Sequence, residues 1–372
     1  MKVGIVVPYS WSFGGGVVDH AEAQARSLEA LGIETRLLIG NDPPGSLSRI
    51  LHPRTGRHGD PPPRVIPLGR SVIVPGNGAL SNLVISPPAL PRLRRTLANE
   101  NFDLIHVHEP LAPMLSPGAL ALWDGPAVAT FHAAGETSWR PLARFLWGFL
   151  LDRLDLRIAV SEQAARTAAD FAAGDYQVIP NGVELPPEVD PGTRRDQIVF
   201  LGRHDPRKGL PVLLRAWPRI HRATGARLRL IGTDPLQYRL LHARMRFDEQ
   251  GIDMLGVVPN EVRTHELERA KLSVTPALGG ESFGLVIAEA FACATPVVAT
   301  DIPGYAAVAI PEAARLVPPG EVDALADAVI DVLSDEGRRI QMGVAARAHA
   351  IANYAWDDIA RRLEETYLEV AA

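Results

Sequence analysis

The chain has 372 residues, of which 47% are hydrophobic and 22% charged, and its formal net charge at pH 7 is −5. This length exceeds the usual size of one hydrophobic core, so we expect two globular domains and not a disordered protein. The negative net charge gives no indication of nucleic acid as a partner. One cysteine, Cys293, excludes an internal disulfide and a cysteine-based zinc site, and a small buried hydrophobic residue is its simplest interpretation.

The start of the chain predicts a strand and not a secretion signal. Met1 and Lys2 lead directly into the apolar run 3–7. The apolar runs elsewhere are shorter than the roughly 20 residues that a membrane-spanning helix needs. We therefore expect a cytoplasmic protein.

A β-α-β unit is predicted at the N-terminus. The first strand ends at Tyr9, the Gly-rich segment 10–17 follows, a helix runs from about Val18 to Leu31, and residues 35–39 form a second strand. Glycines in the first turn of such a unit are typical of a nucleotide-binding half-domain, although no acid after the second strand clearly matches a ribose ligand. A plain strand-to-helix turn is the alternative.

Two basic segments follow. Residues 41–70 are rich in proline and arginine and predict a long irregular loop, which is either a solvated loop or a site for an anionic acceptor or a lipid surface. The next helix, 90–97, carries Arg92, Arg94 and Arg95. These arginines form either a solvated face or a contact with anionic lipids.

Histidines mark the next two strands. His106 and His108 lie on the same face of strand 103–108, as a metal pair would, but the sequence offers no evident third ligand, so we predict hydrogen-bonded histidines and no metal site. Strand 127–132 ends in His132. Ligands of open α/β sheets bind beyond the carboxyl ends of strands, so His132 is a candidate ligand contact.

The domain boundary is predicted after the next elements. Residues 139–154 form an aromatic helix for which core packing is favoured over a lipid-facing role. Strands 156–160 and 176–179 follow. Residues 1–184 with 355–372 form the expected N-terminal domain, 185–194 the linker, and 195–354 the C-terminal domain.

The second domain opens with cations at a strand end. Strand 197–201 is followed by Gly202-Arg203, and Lys208-Gly209 stands at the next helix start, although lysine is otherwise found only at positions 2 and 271. Two such cations are able to hold a diphosphate without a metal ion, whereas a solvated surface turn explains the rare lysine poorly.

The segment 279–290 carries the strongest signal. An apolar strand, 272–277, leads into a Gly-rich turn, a buried helix from Leu285 to Cys293 and a strand at 296–299. A helix N-terminus after small residues suits a phosphate. Glu281 and Glu289 would be repelled by phosphate, so we expect them to accept hydrogen bonds from sugar or ribose hydroxyls. The predicted ligand is a nucleotide sugar; an ordinary crossover helix is the alternative.

These motifs resemble a known family. Gly-Gly-Glu-Ser-Phe-Gly with Glu289, Gly-Arg before Lys-Gly, and Thr-Phe-His are similar to the signatures of retaining GT-B glycosyltransferases of group 1. Val-Pro-Tyr-Ser, Ile-His-Val-His-Glu-Pro and Pro-Arg-Lys-Gly resemble the phosphatidylinositol mannosyltransferases among them. The resemblance implies an α/β GT-B fold: two Rossmann-like domains face a central cleft, and a C-terminal helix, 356–370, crosses back to the N-terminal domain.

The resemblance also implies site residues. Catalytic roles fall to His132, Arg203, Lys208 and Glu281, with no metal. The donor nucleotide is expected at Gly16, Arg203, Lys208, Val258, Asn260, Ser282, Phe283, Gly284, Leu285 and Glu289. The acceptor is expected at Tyr9, Asn77, Arg92, Arg94 and Arg95.

The implied reaction is retaining transfer of a hexose, with mannose from GDP-mannose going to a phosphatidylinositol-type or other glycolipid at the cytoplasmic membrane face. The implied protein has no tightly bound cofactor and contacts an anionic membrane peripherally. A UDP-sugar with another acceptor, a GT-B nucleotide-sugar epimerase and a non-catalytic sugar-nucleotide sensor are the alternatives. Three departures concern the acceptor and donor sites: Ala133-Ala134-Gly135 after Thr-Phe-His, Asn82 without a nearby arginine around Asn77-Gly78, and Ala294 in place of a glycine.

Overall fold

The computed structural model describes residues 1–45, 48, 60–76, 79–133, 142, 145–146, 148–187, 190–203 and 205–372. The chain divides into two compact units, the first comprising Met1–Gly182 and Trp356–Ala372 and the second comprising Val183–Ala355. Several predictions lie outside the described residues: the acceptor contact Asn77 with Gly78, the departures Ala134 and Gly135, most of loop 46–59, and most of the predicted helix before residue 148. No helix of the described part is long and apolar enough to cross a membrane.

The first unit contains a mostly parallel sheet. Its described strands are β1 (Lys2–Ser10), β2 (Glu34–Gly40), β3 (Val65–Pro67), β4 (Ser71–Gly76), β5 (Ala79–Val84), β6 (Leu104–His108), β7 (Ala127–Phe131), β8 (Leu156–Ala159) and β9 (Gln177–Val178). Its described helices are α1 (Gly16–Ala30), α2 (Ala89–Asn99), α3 (Leu115–Leu122), α4 (Glu162–Ala169), a 3₁₀ helix (Gly148–Arg153) and the C-terminal helix (Trp356–Ala371).

The order of the parallel strands is β3-β2-β1-β6-β7-β8-β9. The hairpin β4–β5 joins the carboxyl end of the interior strand β1, where Leu83 pairs antiparallel with Tyr9. Strands β6 and β7 are buried along their whole length, as expected for a parallel sheet covered on both faces. The strand order reverses between β1 and β6. That reversal is where open α/β sheets bind ligands, beyond the carboxyl ends of the strands.

The C-terminal helix belongs to the first unit, which confirms the predicted return of this helix. Its residues Trp356, Ile359, Leu363 and Tyr367 are buried in the core that contains strand β1. Their spacing of three or four residues places them on one face of the helix. The Trp356 ring lies so close to Gly182 that a Cβ on this glycine would be 2.4 Å from the ring.

The second unit contains a parallel sheet of six described strands: β10 (Arg195–Leu201), β11 (Arg227–Ile231), β12 (Ile252–Gly256), β13 (Ala270–Thr275), β14 (Val297–Thr300) and β15 (Ala314–Val317). Its helices are α5 (Leu210–Thr224), α6 (Pro235–Met245), α7 (Asn260–Arg269), α8 (Leu285–Ala292), α9 (Pro303–Ala306), α10 (Val322–Ser334) and α11 (Glu336–Tyr354), with a 3₁₀ turn at Pro206–Lys208. The strand order β12-β11-β10-β13-β14-β15 reverses between β10 and β13.

The predicted core role of helix 139–154 is wrong for its described apolar residues. Leu142, Phe145, Leu146 and Phe149 are exposed by 59%, 83%, 49% and 68%. Core packing in this segment comes instead from Leu151, in the 3₁₀ helix. In the sequence these four residues follow the i, i+3, i+4, i+7 spacing that is typical of one helix face, and each of them is exposed to solvent.

Candidate functional site

In the second unit the cationic loop follows strand β10, and the Gly-rich loop follows its neighbour β13. Both loops lie at the carboxyl ends of the two strands between which the strand order reverses. Gly202 and Arg203 leave β10, and residues 276–284 connect β13 to helix α8. The parallel sheet therefore brings together two segments that are distant in sequence, at the position where such sheets bind ligands.

Asp205 organises the cationic loop. Its buried carboxylate accepts a hydrogen bond from the Arg207 backbone N–H at 2.9 Å and one from Arg207 Nη2 at 2.6 Å. Burial acts to raise the pKa of Asp205, but the hydrogen bonds and charge of Arg207, with the charge of Arg203, bring this pKa below its ordinary value. The acid thus stays ionised and fixes the 3₁₀ turn that carries Lys208.

Gly209 lets this turn approach the sheet. Its φ of +69° lies in the left-handed region, and a Cβ here would be 1.8 Å from the Pro276 carbonyl oxygen. The Leu278 N–H donates to the Arg207 carbonyl at 2.6 Å, which joins the two loops. Glycine is therefore required at position 209 both for its backbone conformation and for this close approach.

Lys208 and Glu281 form an ion pair. Lys208 Nζ lies 2.7 Å from Glu281 Oε1, and the two side chains are 20% and 15% exposed. The Glu281 backbone packs against Gly304, where a Cβ would be 2.1 Å from the Glu281 carbonyl oxygen. The cation that we assigned to a diphosphate and the acid that we assigned to sugar hydroxyls thus neutralise each other in this structure.

Arg207 is a third cation at these loops that sequence reasoning missed. A Cβ on Gly280 would lie 2.9 Å from Arg207 Nη1, so this guanidinium reaches the Gly-rich loop. The hydrogen bond to Asp205 raises the pKa of Arg207, with a smaller contribution from the charge of Glu281. The position of Arg207 in the sequence, between Arg203 and Lys208, could have identified it as a further cation of this loop. Arg203 itself is exposed.

Helix α8 begins at the end of the Gly-rich loop. Gly284 caps it with φ +85°, and a Cβ there would lie 2.9 Å from the Gly304 carbonyl oxygen. The C-terminal end of α8 is held by cations: Arg194 Nη2 donates to the Cys293 carbonyl at 2.8 Å, and Arg347 donates to the Ala292 carbonyl. Burial lowers the pKa of Arg194 to about 10. Cations stabilise the negative C-terminal end of the helix dipole. The positive N-terminal end of α8 lies at the Gly-rich loop, where an anion is favoured.

Glu289 is also paired. Its Oε1 lies 2.8 Å from Arg263 Nη2 of helix α7, and its side chain is 17% exposed. Helix α7 starts at Asn260, which is exposed, and Val258 before it is half-buried. The structure thus brings Glu289 next to the helix that follows β12. Val258 and Asn260, which we expected to contact the donor nucleotide, lie at the start of this helix.

In the first unit a buried acid anchors the loop after β1. Asp42 Oδ2 accepts hydrogen bonds from Ser10 Oγ at 2.7 Å and from Ser71 Oγ at 2.6 Å, and the Asp42 N–H donates to Ser12 Oγ at 2.8 Å. Asp42 follows strand β2, where a ribose-binding acid was sought. Its carboxylate instead connects the loop after β1 to strand β4 through Ser10 and Ser71. The hairpin β4–β5 itself was not predicted from the sequence.

The glycines at the start of α1 are open. Among the described residues, no atom lies within 4 Å of a Cβ built on Gly15 or on Gly16, and Gly15 is extended, with φ −179°. Neither packing nor backbone conformation therefore requires the absence of a side chain at these two positions. A requirement for glycine here would have to come from a bound molecule.

Four histidines of the first unit lie together: His20 of α1, His106 and His108 of β6, and His132 after β7. His106 and His108 stack with ring centroids 4.7 Å apart, and His108 Nδ1 lies 2.8 Å from His132 Nε2. His20 of α1 meets His132 edge-on, with centroids 4.9 Å apart. Burial lowers the pKa of His20 to about 4 and that of His106 to about 3, and burial with the neighbouring histidines lowers the pKa of His108 and His132 well below 6.5. All four rings are neutral at pH 7.

The two halves of the chain match two family descriptions. Residues 14–186 match Glycosyltransferase Family 4, and residues 195–335 match Glycosyl transferases group 1. A phosphatidyl-myo-inositol mannosyltransferase of Mycobacterium leprae is 35% identical over 100% of this chain and 97% of its own length. The enzyme of the same name from Mycolicibacterium smegmatis is 33% identical, with 100% and 94% covered. The chain belongs to the group 1 glycosyltransferases.

Solved structures confirm the GT-B fold class of this glycosyltransferase. The sucrose-phosphate synthase of Thermosynechococcus elongatus superimposes with a TM-score of 0.75 at 21% identity, covering 99% of this chain and 98% of the other. Anabaena HepE in complex with UDP-glucose gives 0.73 at 18% identity, covering 99% and 100%. At such low sequence identity these similarities establish the fold but give no information on the donor or the acceptor.

The predicted acceptor contacts of the transferase are spread over the first unit. Tyr9 is half-buried at the end of β1, and burial with the charge of Glu109 raises its pKa above the usual range. Arg92, Arg94 and Arg95 are exposed on α2, which buries its other face. Within the described part of the chain, no hydrogen bond or ion pair joins Tyr9 to these arginines.

Two surface depressions of the transferase lie away from these loops. One is lined by Trp123, Gly125 and Asp155, before strands β7 and β8. The other is lined by Arg195, Arg227 and Asp253, at the starts of β10, β11 and β12. Both lie at the amino ends of the strands, opposite to the ends where α/β sheets bind ligands, so neither is a candidate substrate site.

Proposed function

We propose that this glycosyltransferase transfers mannose from GDP-mannose to a phosphatidylinositol-type glycolipid with retention of anomeric configuration. The observation that carries the proposal is the contact of Arg207 and Lys208 with the Gly-rich loop that leads into α8, at the strand-order reversal of the second unit. Arg203 leaves β10 at the same reversal. Relatives named phosphatidyl-myo-inositol mannosyltransferase and GDP-mannose-dependent alpha-(1-6)-phosphatidylinositol monomannoside mannosyltransferase support the choice of donor and acceptor.

The donor diphosphate is proposed to bind Arg203, Lys208 and the first turn of α8. When the glycosidic bond breaks, negative charge grows on this diphosphate, and fixed cations stabilise it without reorganisation. The diphosphate competes with Glu281 for Lys208, so donor binding releases Glu281 to accept hydrogen bonds from sugar hydroxyls. Charge neutralisation by these cations means that we expect no requirement for a divalent ion.

The nucleoside is proposed to contact Val258, Asn260 and Glu289. The ion pair with Arg263 orients the Glu289 carboxylate, whose oxygens are acceptors for ribose hydroxyls. Gly16 of the first unit is proposed to approach the diphosphate, which the open space above its Cα supports.

His132 is proposed to stabilise the oxocarbenium-like sugar. Because its pKa is lowered well below 6.5, the ring is neutral at pH 7 and does not repel positive charge on the sugar. Glu281 is proposed to bind sugar hydroxyls and Glu289 to bind ribose hydroxyls, so we assign neither as a covalent nucleophile. We therefore propose front-face attack by the acceptor hydroxyl, assisted by the departing phosphate.

A thermal-shift panel with GDP, UDP and ADP, without metal, tests the donor site first. A ligand that binds the native state raises its melting temperature by mass action, so base selectivity appears as unequal shifts. We expect GDP to give the largest shift, and Lys208→Ala to lose it. Lys271→Ala is the matched control, because Lys271 is also paired, with Asp196 at 2.6 Å. Equal GDP-induced shifts of the melting temperature in both variants would contradict a role of Lys208 in binding the diphosphate. A UDP-selective shift would favour the UDP-sugar alternative.

Transfer itself is tested with radiolabelled GDP-mannose and phosphatidylinositol. We expect a mannosylated lipid in the presence of a chelator. Transfer only to other acceptors would contradict the inositol-lipid proposal, and an epimerised nucleotide sugar formed without acceptor would favour the epimerase alternative.

Peripheral membrane contact is proposed through the outward apolar face formed by Leu142, Phe145, Leu146 and Phe149. These large side chains are 49–83% exposed, and such residues insert at a lipid interface. We expect Phe145→Asp with Phe149→Asp to abolish co-sedimentation with phosphatidylinositol-containing vesicles. Leu240→Asp, at a residue 62% exposed in the second unit, is the control. Unchanged co-sedimentation of the double variant would contradict this contact.

A further inference from the structure

Three of the four clustered histidines have the arrangement of a metal site. We propose that His20, His108 and His132 form a binding site for a divalent ion of the zinc class. One nitrogen from each ring lies within 4.8 Å of the other two. The sequence had offered His106 and His108 as a pair without a third ligand. The fold removes His106 from the pair and adds His20 from α1 and His132 from the end of β7.

The ring separations agree with tetrahedral coordination. With Zn–N distances of about 2.1 Å, two imidazole centroids on one tetrahedral ion lie about 5.2 Å apart. The three observed separations are 5.6 Å for His20 and His108, 4.9 Å for His20 and His132, and 5.1 Å for His108 and His132. The donor nitrogens on such an ion are about 3.4 Å apart, whereas His108 Nδ1 and His132 Nε2 are 2.8 Å apart. Metal binding therefore replaces this hydrogen bond through small ring rotations.

His106 cannot serve as a ligand, because both its nitrogens are used. His106 Nδ1 lies 2.5 Å from the Tyr367 hydroxyl, and His106 Nε2 lies 2.7 Å from Thr130 Oγ1. In contrast, His20 Nδ1 is buried and makes no hydrogen bond within the described residues. Buried polar atoms without partners are uncommon in native proteins and call for an unseen partner.

Electrostatics supports a cation here. The three side chains are imidazoles, and imidazole nitrogens are common zinc ligands. A carboxylate lies beside them, since Glu109 Oε1 accepts a hydrogen bond from the His132 backbone N–H at 3.1 Å. His132 is 9% exposed and His20 is partly exposed, which provides an entry path for the ion.

Metal binding has a consequence that rests on the proposed function. The ion takes a lone pair of His132 and places positive charge beside it, where we propose that a positively charged sugar forms. Zinc occupancy is therefore expected to inhibit transfer, so the site would act as an inhibitory metal site and not as a catalytic centre.

The test uses the full chain without an affinity tag, after treatment with a chelator. Co²⁺ is added and its visible d–d absorption is followed, and Zn²⁺ affinity is measured by competition with a chromophoric chelator. We expect one ion per chain, and a loss of affinity of more than about 100-fold in His20→Ala and in His132→Ala, because even loss of an outer partner costs about 10–100-fold. His265→Ala is the control, since this histidine is on α7 with its side chain 48% exposed.

Circular dichroism verifies that each variant is folded. His20 is only partly buried, so His20→Ala remains informative if the deeper His132→Ala fails to fold. Absence of stoichiometric Co²⁺ or Zn²⁺ binding, or full binding by His20→Ala, would overturn the metal site. The proposed function is tested separately: if zinc binds as expected and leaves mannose transfer unchanged, the catalytic role of His132 fails while the metal site stands.

Discussion

Replacing Lys208 with methionine tests the diphosphate clamp most directly. Lys208 Nζ lies 2.7 Å from Glu281 Oε1, with side chains 20% and 15% exposed. This pair is more buried than surface pairs, which contribute about 0–1 kcal/mol, and less buried than those whose breaking costs about 3–5 kcal/mol. We expect Lys208→Met to lower the free energy of unfolding of the second unit by about 1–2 kcal/mol.

The effect on transfer should be larger than the effect on stability. Lys208 faces charge that develops only as the glycosidic bond breaks, and removal of one such preorganised group costs about 10²–10³ in kcat. The assay measures initial rates of mannose transfer at saturating GDP-mannose, well below the melting temperature of the variant. Thermal denaturation measures the stability change on the same samples.

Lys271→Met is the matched control for Lys208→Met. Lys271 is 24% exposed and pairs with Asp196, which is 72% exposed, so we expect a loss of less than about 1 kcal/mol and an unchanged kcat. Equal kcat values in the two variants would refute the clamp. A kcat that falls for Lys208→Met only as its folded fraction falls would show that the lysine acts on stability alone.

Three further predictions follow from backbone and charge. Gly209→Ala should destabilise the second unit by about 2–5 kcal/mol, measured by urea unfolding, because left-handed φ costs about 1–2 kcal/mol and the Cβ clash with Pro276 adds about 1–3 kcal/mol; an unchanged midpoint would contradict the close approach. Gly16→Ala should leave the melting temperature unchanged but raise the KM for the donor by about tenfold, since its Cβ meets nothing within 4 Å in the free protein; an unchanged KM would exclude donor contact there. Stability of the first unit should fall as pH drops from 6.5 toward 4, because the unfolded state binds protons that partly buried His20 and buried His106, with pKa values lowered to about 4 and 3, do not bind in the folded state. This difference amounts to at most about 1.4 kcal/mol per pH unit per histidine. Melting curves between pH 7 and pH 4 measure this slope, and a flat profile would contradict neutral burial.

Local patterns predicted much of the fold. Apolar runs bounded by glycine and proline marked β1, β10 and β13, and the Gly-rich turn before an apolar helix marked α8. Family-like motifs predicted the GT-B class and the glycosyltransferase activity. These features depend on residues that are close together in sequence, so they can be predicted from local sequence patterns.

Other elements were missed or misinterpreted because their sequence patterns are weak. Helix α7 is mainly polar, whereas helix α6 has apolar residues that are not gathered on one face. Both helices bury few residues, so their apolar periodicity is slight. Hairpin β4–β5 lies next to a Pro-rich loop that reads as irregular. The exposed Phe145 and Phe149 had been interpreted as core, because periodicity shows that a helix has an apolar face but not what that face contacts.

The composition and motifs of the sequence by themselves determined the class of enzyme, the two sheets and the residues worth testing. Only the tertiary structure decided how these residues pair: Lys208 with Glu281, Glu289 with Arg263, Asp42 with the loop after β1, and His20 with the strand-end histidines. The physical reason is that crossover connections separate neighbouring parallel strands in sequence while their carboxyl ends meet in space. Strand order, which follows from packing of the whole sheet, therefore selects the partners of each charged and titratable group.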